Sequence, residues 1–277
     1  MPLMPITSLL GLKGLHLKIK WYGTATILLE QDGTKLLFDP YLSRNKKVFQ
    51  PPISELANAE NILITHGHFD HIVDIPTIMK HGVENKNIYC TSTPRKTLVS
   101  KGVDERCIHT ISPGDELHFG PFLVRVYQGK HVKYDKKIVV KTFINPRILA
   151  NWRQLLYLLR ENNVYPEAGE IVAYDISTSD KRIFIMGSLN LDDKIDYPKC
   201  ADILILPFQG RSDISKYAMG FIDCLKPKKV LLDHFDDTFP PITSTVKTEP
   251  FVKKMRIKYP NVPIIYQAAS AKWITTL

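Results

Sequence analysis

Asn61-Ile62-Leu63-Ile64-Thr65-His66-Gly67-His68-Phe69-Asp70-His71 is the stretch on which the reading of this chain turns. The apolar run before Thr65 is short enough for a buried strand. The three imidazoles and one carboxylate that follow fall in the loop where that strand ends, which is where α/β proteins carry their chemistry. In extended chain His66 and His68 point to the same side, because side chains alternate with period two. Gly67 between them lets the backbone turn tightly. Asp70 and His71 fall in the next turn and can point to a second, adjacent centre. Imidazole together with carboxylate suits Zn2+, Mn2+ or Fe2+. Histidine is scarce here, 9 in 277 residues, so a run of surface or N-capping polar residues is the weaker explanation.

His-x-His-x-Asp-His after an apolar strand resembles the signature of the metallo-β-lactamase superfamily. The resemblance implies an α/β layered fold, a four-layer αβ/βα sandwich, with a site for one or two metal ions at one edge. It extends along most of the chain, which is read as one domain over 1–277 with a helical insertion around 146–163.

Apolar residues make up 44% of the chain and charged residues 23%, ordinary for a soluble enzyme. No run approaches the about 18 apolar residues of a membrane span. Met1 to Gly14 is apolar but lacks early basic residues and a cleavage site, so it reads as a first strand or cap rather than a signal peptide. Cys90, Cys107, Cys200 and Cys224 are scattered and read as free thiols, which points to the cytoplasm. The net charge of +9 admits a nucleic-acid partner or an anionic substrate, but the basic pairs are spread out, which favours a solvated surface.

Leu17 to Trp21, Thr26 to Glu30 and Lys35 to Phe38 read as strands, the last two joined by the hairpin signal Asp32-Gly33. Trp21-Tyr22-Gly23-Thr24-Ala25 through Leu37-Phe38-Asp39-Pro40 looks like the opening of the superfamily branch that includes sugar-phosphate lactonases. That likeness makes Asp39 an acceptor for the N–H of a ligand imidazole; the other reading is a turn Asp before Pro40. Helices follow over Ile75–His81 and Pro94–Lys101, and strands over Ile88–Cys90, Ile108–Ile111, Glu116–Phe119 and Phe122–Tyr127. The alternation supports a layered α/β domain.

Gly129-Lys130-His131 sits just past a strand, where its placement resembles the superfamily's third histidine. Over 146–163, Ile148, Leu149, Trp152, Leu155, Leu156 and Leu159 share one helical face. That helix packs on the core, roofs the active site or makes a dimer contact; binding at a membrane interface is a further option. Glu170–Ile176 and Arg182–Met186 read as a hairpin leading to Gly187-Ser188. Most of the superfamily has Gly-Asp there, and that Asp bridges two metals. Ser188 departs from the pattern, so the second metal binds more weakly, or Asp192 or Asp193 reaches in, or a solvent bridge alone holds the pair; the plain alternative is that Asp192 and Asp193 are turn residues. Arg211, in the loop after the strand Asp202–Pro207, either grips an anionic group bidentately or is structural. Strand Lys229–Asp233 delivers His234, and Asp233-His234-Phe235-Asp236-Asp237-Thr238-Phe239-Pro240 resembles an ending seen in the lactonase-like branch.

The resemblance assigns His66, His68 and His131 to one metal and Asp70, His71 and His234 to the other, with Asp70 and His234 closest to the reaction. A bound ion lowers the pKa of a water from about 15.7 towards 7, giving hydroxide at neutral pH. The expectation is a metal-dependent hydrolase that cleaves an ester, lactone, amide or phosphodiester bond of a small molecule, with an anionic substrate among the options. A nucleic-acid-processing nuclease is one alternative, though no concentrated basic arm supports it. A metal-binding regulatory protein that lost catalysis with Ser188 is the other. A homo-oligomer remains open.

Overall fold

The computed structural model describes residues 16–240 and 242–275. The stretch Met1–Gly14, expected as a first strand or cap, lies outside the described residues.

Strand β1 (Lys18–Trp21) pairs antiparallel with β2 (Ile27–Gln31), and β2 with β3 (Thr34–Phe38). Asp32 and Gly33 make the β2–β3 turn at φ 51° and 81°. Two residues with positive φ match the twist of a tight hairpin. From β3 onward the sheet runs parallel through β4 (Asn61–Leu63), β5 (Asn87–Cys90) and β6 (Ile108–Thr110). A second sheet repeats the plan. It is antiparallel through β7 (Glu116–Phe119), β8 (Phe122–Gln128), β9 (Val172–Ser177) and β10 (Arg182–Ile185), then parallel through β11 (Ile203–Pro207), β12 (Val230–Asp233) and β13 (Ile264–Ile265). Strand β14 (Ile274–Thr275) pairs with β1 and so returns to the first sheet.

Period two decides the layers. Ile27, Leu29, Leu36, Phe38 and Leu63 share a core with Val124, Val126, Tyr174, Ile176 and Phe184 of the second sheet. Leu28, Leu37, Ile62 and Ile64 belong to another cluster, with helices α1 (Ile53–Ala57), α2 (Phe69–Ile72), α3 (Ile75–Ile78) and α4 (Ser92–Ser100). Helices α5 (Lys136–Ile144), α6 (Pro146–Ala150) and α7 (Trp152–Val164) come between β8 and β9. Helices α8 (Ile214–Leu225) and α9 (Glu249–Lys258) cover the second sheet through Ala218, Ile222, Phe251 and Met255. The order helix, sheet, sheet, helix is the expected αβ/βα sandwich. Each fully buried Leu, Ile or Phe contributes roughly 1.5–3 kcal/mol, so this shared core is the main restraint on the strand ends.

Three local expectations change. The helix over 75–81 is α-helical only to Ile78. The helix over 146–163 is two helices, broken at Asn151, where φ is −116° and ψ 35°. Helix α5 precedes them and has no counterpart in the sequence reading. Its residues, beginning Lys136-Lys137-Ile138-Val139-Val140, lack a strong 3.6-residue pattern.

Candidate metal centre

The ends of β3, β4, β8, β10 and β12 bring Asp39, Thr65-His66, His131, Ser188 and His234 to one edge of the sandwich. Two groups of potential ligands form there, His66–His68–His131 and Asp70–His71–His234, each with its donor atoms within 4.8 Å of one another. All six candidates that sequence reading named are thus brought together.

In the first group, Nε2 of His66 lies 3.2 Å from Nδ1 of His68. The His131 ring centroid is 4.8 Å from that of His68 and 5.7 Å from that of His66. Burial, then the neighbouring imidazoles, pushes His66 well below its ordinary pKa. Burial also takes His68 down to about 4 and lowers His131. All three rings are therefore neutral at pH 7, the form that donates a lone pair to a metal. Nδ1 of His131 is 3.0 Å from the Val132 carbonyl, which only accepts. The proton is thereby fixed on Nδ1 and the Nε2 lone pair is left free.

In the second group, Asp70 Oδ2 is 3.3 Å from Nε2 of His234, and Asp70 Oδ1 is 3.8 Å from Nε2 of His71. Burial would raise the Asp70 pKa, but the charges of His71 and the His234 hydrogen bond outweigh it and hold it well below the usual carboxylate range. Burial likewise opposes charge on His234, yet Asp70, Asp233 and Asp236 together raise it to about 9. The His66 and His71 ring centroids are 3.9 Å apart, so the two groups adjoin.

One carboxylate backs both groups. Asp39 Oδ2 is 3.0 Å from Nδ1 of His71 and accepts from the Thr65 hydroxyl at 2.6 Å. Asp39 Oδ1 accepts from the Thr65 backbone N–H at 2.8 Å. Thr65 Oγ1 lies 3.0 Å from Nδ1 of His66. With its proton given to Asp39, that hydroxyl can accept from His66. Of the two readings of Asp39, the imidazole acceptor is the one its contacts match. Thr65 was not singled out from sequence, because its role needs a partner on another strand.

The metal loop is also fixed by backbone. The Thr65 carbonyl accepts from Val172 N–H at 2.9 Å, and the Tyr174 hydroxyl donates to the Ile64 carbonyl at 2.6 Å. His234 sits at φ 56°, with its N–H donating to the Thr24 carbonyl at 2.9 Å. Asp236 Oδ1 accepts from Thr24 N–H at 2.9 Å, and the hydroxyls of Thr238 and Thr24 are 3.2 Å apart. The Asp236–Thr238 motif thus clasps the β12 end onto the β1–β2 turn.

Ser188 meets the His131 loop. Its Oγ accepts from Val132 N–H at 3.0 Å, while Asn190 Nδ2 donates to the His131 carbonyl at 3.0 Å. Asp192 does not reach in: its Oδ2 is 3.1 Å from Lys130 Nζ and its Oδ1 accepts from Lys194 N–H. Asp193 is exposed, so both are turn residues. Arg211 lines the cavity, but its fork is engaged by Asp213 at 2.6 and 3.0 Å and by the Lys133 carbonyl at 2.7 Å. That engagement favours its structural reading.

A metal is the group these residues fit. Nε2 of His66 and Nδ1 of His68 face each other at 3.2 Å, and with the proton of each ring on its other nitrogen a cation between them would satisfy both lone pairs. Nδ1 of His234 is buried without a hydrogen-bond partner, as are one oxygen each of Asp233, Asp236 and Glu167. Above the groups lies a cavity of about 600 Å3, roofed by Ile148, Leu155 and Leu158 and walled by Phe69, Val132 and Phe239.

A family model described as "Beta-lactamase superfamily domain" matches residues 34–235. The chain is 37% identical over 226 residues to a "UPF0173 metal-dependent hydrolase" of Flavobacterium johnsoniae, covering 79% of this chain and 85% of that one. It is 34% identical over 116 residues to a protein of the same description from Methylocella silvestris, covering 42% of this chain but 48% of that one. The matched part is thus about half the length of that relative. Among solved structures, the metallo-β-lactamase fold protein YhfI of Bacillus subtilis superposes with a TM-score of 0.63 at 14% identity, covering 95% of this chain and 100% of that one. Igni18, a metallo hydrolase of Ignicoccus hospitalis, gives 0.61 at 17% identity over 94% and 98%. At such identities these likenesses speak for the fold alone.

Proposed function

The chain belongs to the β-lactamase superfamily, and within it to the UPF0173 metal-dependent hydrolases, and from that premise we propose that it hydrolyses a carboxylic ester or lactone at a centre of two divalent ions. His66, His68 and His131 would hold one ion, and Asp70, His71 and His234 the other. Five imidazoles and one carboxylate suit Zn2+ best, with Mn2+ or Fe2+ as substitutes. Ions there would acidify a water and polarise the carbonyl oxygen of the substrate.

The chain's own residues set the rest. Asp39 and Thr65 fix which nitrogens of His71 and His66 carry protons, so those rings enter with lone pairs already aimed. Asp70 stays ionised and can accept a hydrogen bond from the attacking water. Ser188 has a neutral hydroxyl where the superfamily usually has a carboxylate, so a second ion would be held less firmly than the first. The apolar roof sets hydrocarbon side chains above the centre.

The observation that carries the reading is the convergence of two three-ligand groups beneath an apolar cavity. The cavity favours an ester or lactone over a phosphodiester, since Arg211, a cation in its lining, is already engaged. The finer placement in a lactonase-like branch rests on the Asp39-Pro40 and Thr238-Phe239-Pro240 motifs. Metal content and turnover of a chain-length series of p-nitrophenyl esters, lactones and bis-p-nitrophenyl phosphate test the proposal. Metal-dependent turnover that prefers the longer esters supports it. Metal binding with no turnover of any of them would return the protein to the regulatory alternative.

A further inference from the structure

The insertion that roofs the cavity has a second side. On α7, at about 100° per residue, Leu155, Leu158 and Asn162 cluster on one face and line the cavity. Trp152 and Leu156 continue the apolar arc past what the cavity uses, and Leu159, at the cavity's rim, joins the two. Trp152, Leu156 and Leu159 are 54%, 53% and 49% exposed. Leu149 of α6 is 57% exposed, and Val140 and Ile144 of α5 are 54% and 65% exposed. Arg153 and Arg160 flank this arc, and Arg153 lies over the Trp152 ring at 5.5 Å. Residues 133–164 carry seven Lys and Arg against two Asp and Glu, a net +5 of the chain's +9. The charge is therefore concentrated on the roof, contrary to the even spread read from sequence. Among the described residues, Arg147, Arg153 and Arg160 take part in no ion pair.

We propose that the outer face of α5–α7 docks on the surface of an anionic lipid bilayer. An exposed apolar stripe with Trp and Leu, edged by basic residues, is the pattern of a helix lying in the membrane interface. Charge complementarity selects this occupant. A second copy of the same face would set like charges together, and a nucleic acid would leave the Leu, Ile and Val side chains without a partner. No helix of the described residues is long and apolar enough to cross a membrane, so the contact is peripheral. Docking would place the apolar cavity next to acyl chains. The proposal does not depend on hydrolysis and can fail or hold without it.

The test is co-sedimentation of the full chain with vesicles of phosphatidylcholine alone and of phosphatidylcholine with phosphatidylglycerol. Binding is expected to the second only, falling steeply with salt. Trp152→Ser with Leu156→Ser, and separately Arg147→Glu with Arg153→Glu, are expected to weaken it by about tenfold or more each. These residues are exposed, so the variants keep the fold. His68→Ala is expected to bind vesicles as the parent does, which separates this contact from the metal reading. Equal binding to neutral vesicles, or binding indifferent to the Trp152 and Leu156 changes, overturns the proposal. So does a concentration-dependent dimer abolished by Leu156→Ser, or binding of single-stranded RNA in place of vesicles.

Discussion

Asp39 Oδ2 lies 3.0 Å from His71 Nδ1 while its other oxygen accepts from the Thr65 backbone N–H, so one side chain backs ligands at both candidate centres. Asp39 sits at φ 43°, a left-handed conformation that Asn tolerates as well as Asp. Asp39→Asn therefore keeps the backbone but offers a single acceptor oxygen to three donors. Metal affinity at both centres is expected to fall about 10–100-fold, read by chelator competition. Loss at the second centre alone would show that the Thr65 relay to His66 carries nothing.

Ser188 ties β10 to the His131 loop through Val132 N–H at 3.0 Å. Ser188→Ala leaves that buried N–H without an acceptor, which costs about 1–3 kcal/mol. Urea unfolding of the metal-free protein is expected to shift accordingly, with weaker binding of the first ion because His131 is less well placed. Ser188→Asp is expected to raise occupancy of the second ion, measured as ions per chain. An unchanged ion count in that variant refutes the explanation of the second site by missing charge.

Glu170 caps a helix from outside it. Thr91, at the N-cap of α4, makes no side-chain cap bond, and Glu170 instead accepts from Ser92 Oγ at 2.7 Å and Thr93 N–H at 2.8 Å. Burial works against its charge, but these hydrogen bonds prevail and hold its pKa below the ordinary 4.5. A carboxylate depressed in the folded state stabilises above its unfolded pKa and loses that contribution as pH falls through the folded one. Stability is thus expected to drop below about pH 4.5 with a component missing in Glu170→Gln. Glu170→Ala is expected to cost about 1–2 kcal/mol at neutral pH. Parallel acid limbs for parent and Gln variant would rule this out.

How much of this was legible in sequence follows the range of each interaction. The strands and the β2–β3 hairpin could be read because alternation and Asp32-Gly33 are local signals. His66, His68, Asp70 and His71 sit within six positions, so spacing alone grouped them. His131 and His234 were placed by their strand-end positions and family resemblance, and they do lie beside that loop. Thr65 and the seat of Ser188 were illegible, because each takes its meaning from a residue on a different strand. The α6–α7 break at Asn151 was missed because the apolar period runs through it. Helix α5 was missed because its β-branched Ile138, Val139 and Val140 do not mark a helix.

Gly67 shows the same limit from the other side. Sequence reading gave it a tight turn, but it is not among the glycines with positive φ. Its need is space: a Cβ there would meet the Pro166 carbonyl oxygen at 2.3 Å. That oxygen is backbone and cannot swing aside like a side-chain tip. Gly67→Ala must therefore move either the 166–167 segment or the loop carrying His66 and His68. Since Val172 and Tyr174 pin Thr65 and Ile64 from the second sheet, the strain falls on the ligand loop itself. The variant is expected to lose about 1–3 kcal/mol of stability, in the range of overpacked cores. First-centre metal affinity should fall by more than the stability loss alone accounts for, read as binding to the folded fraction by calorimetry. Gly33→Ala, whose Cβ meets nothing within 4 Å but sits at φ 81°, is the control. It should cost stability through backbone strain while leaving metal affinity untouched, and equal metal loss in both variants would mean that the Pro166 contact does not govern the loop.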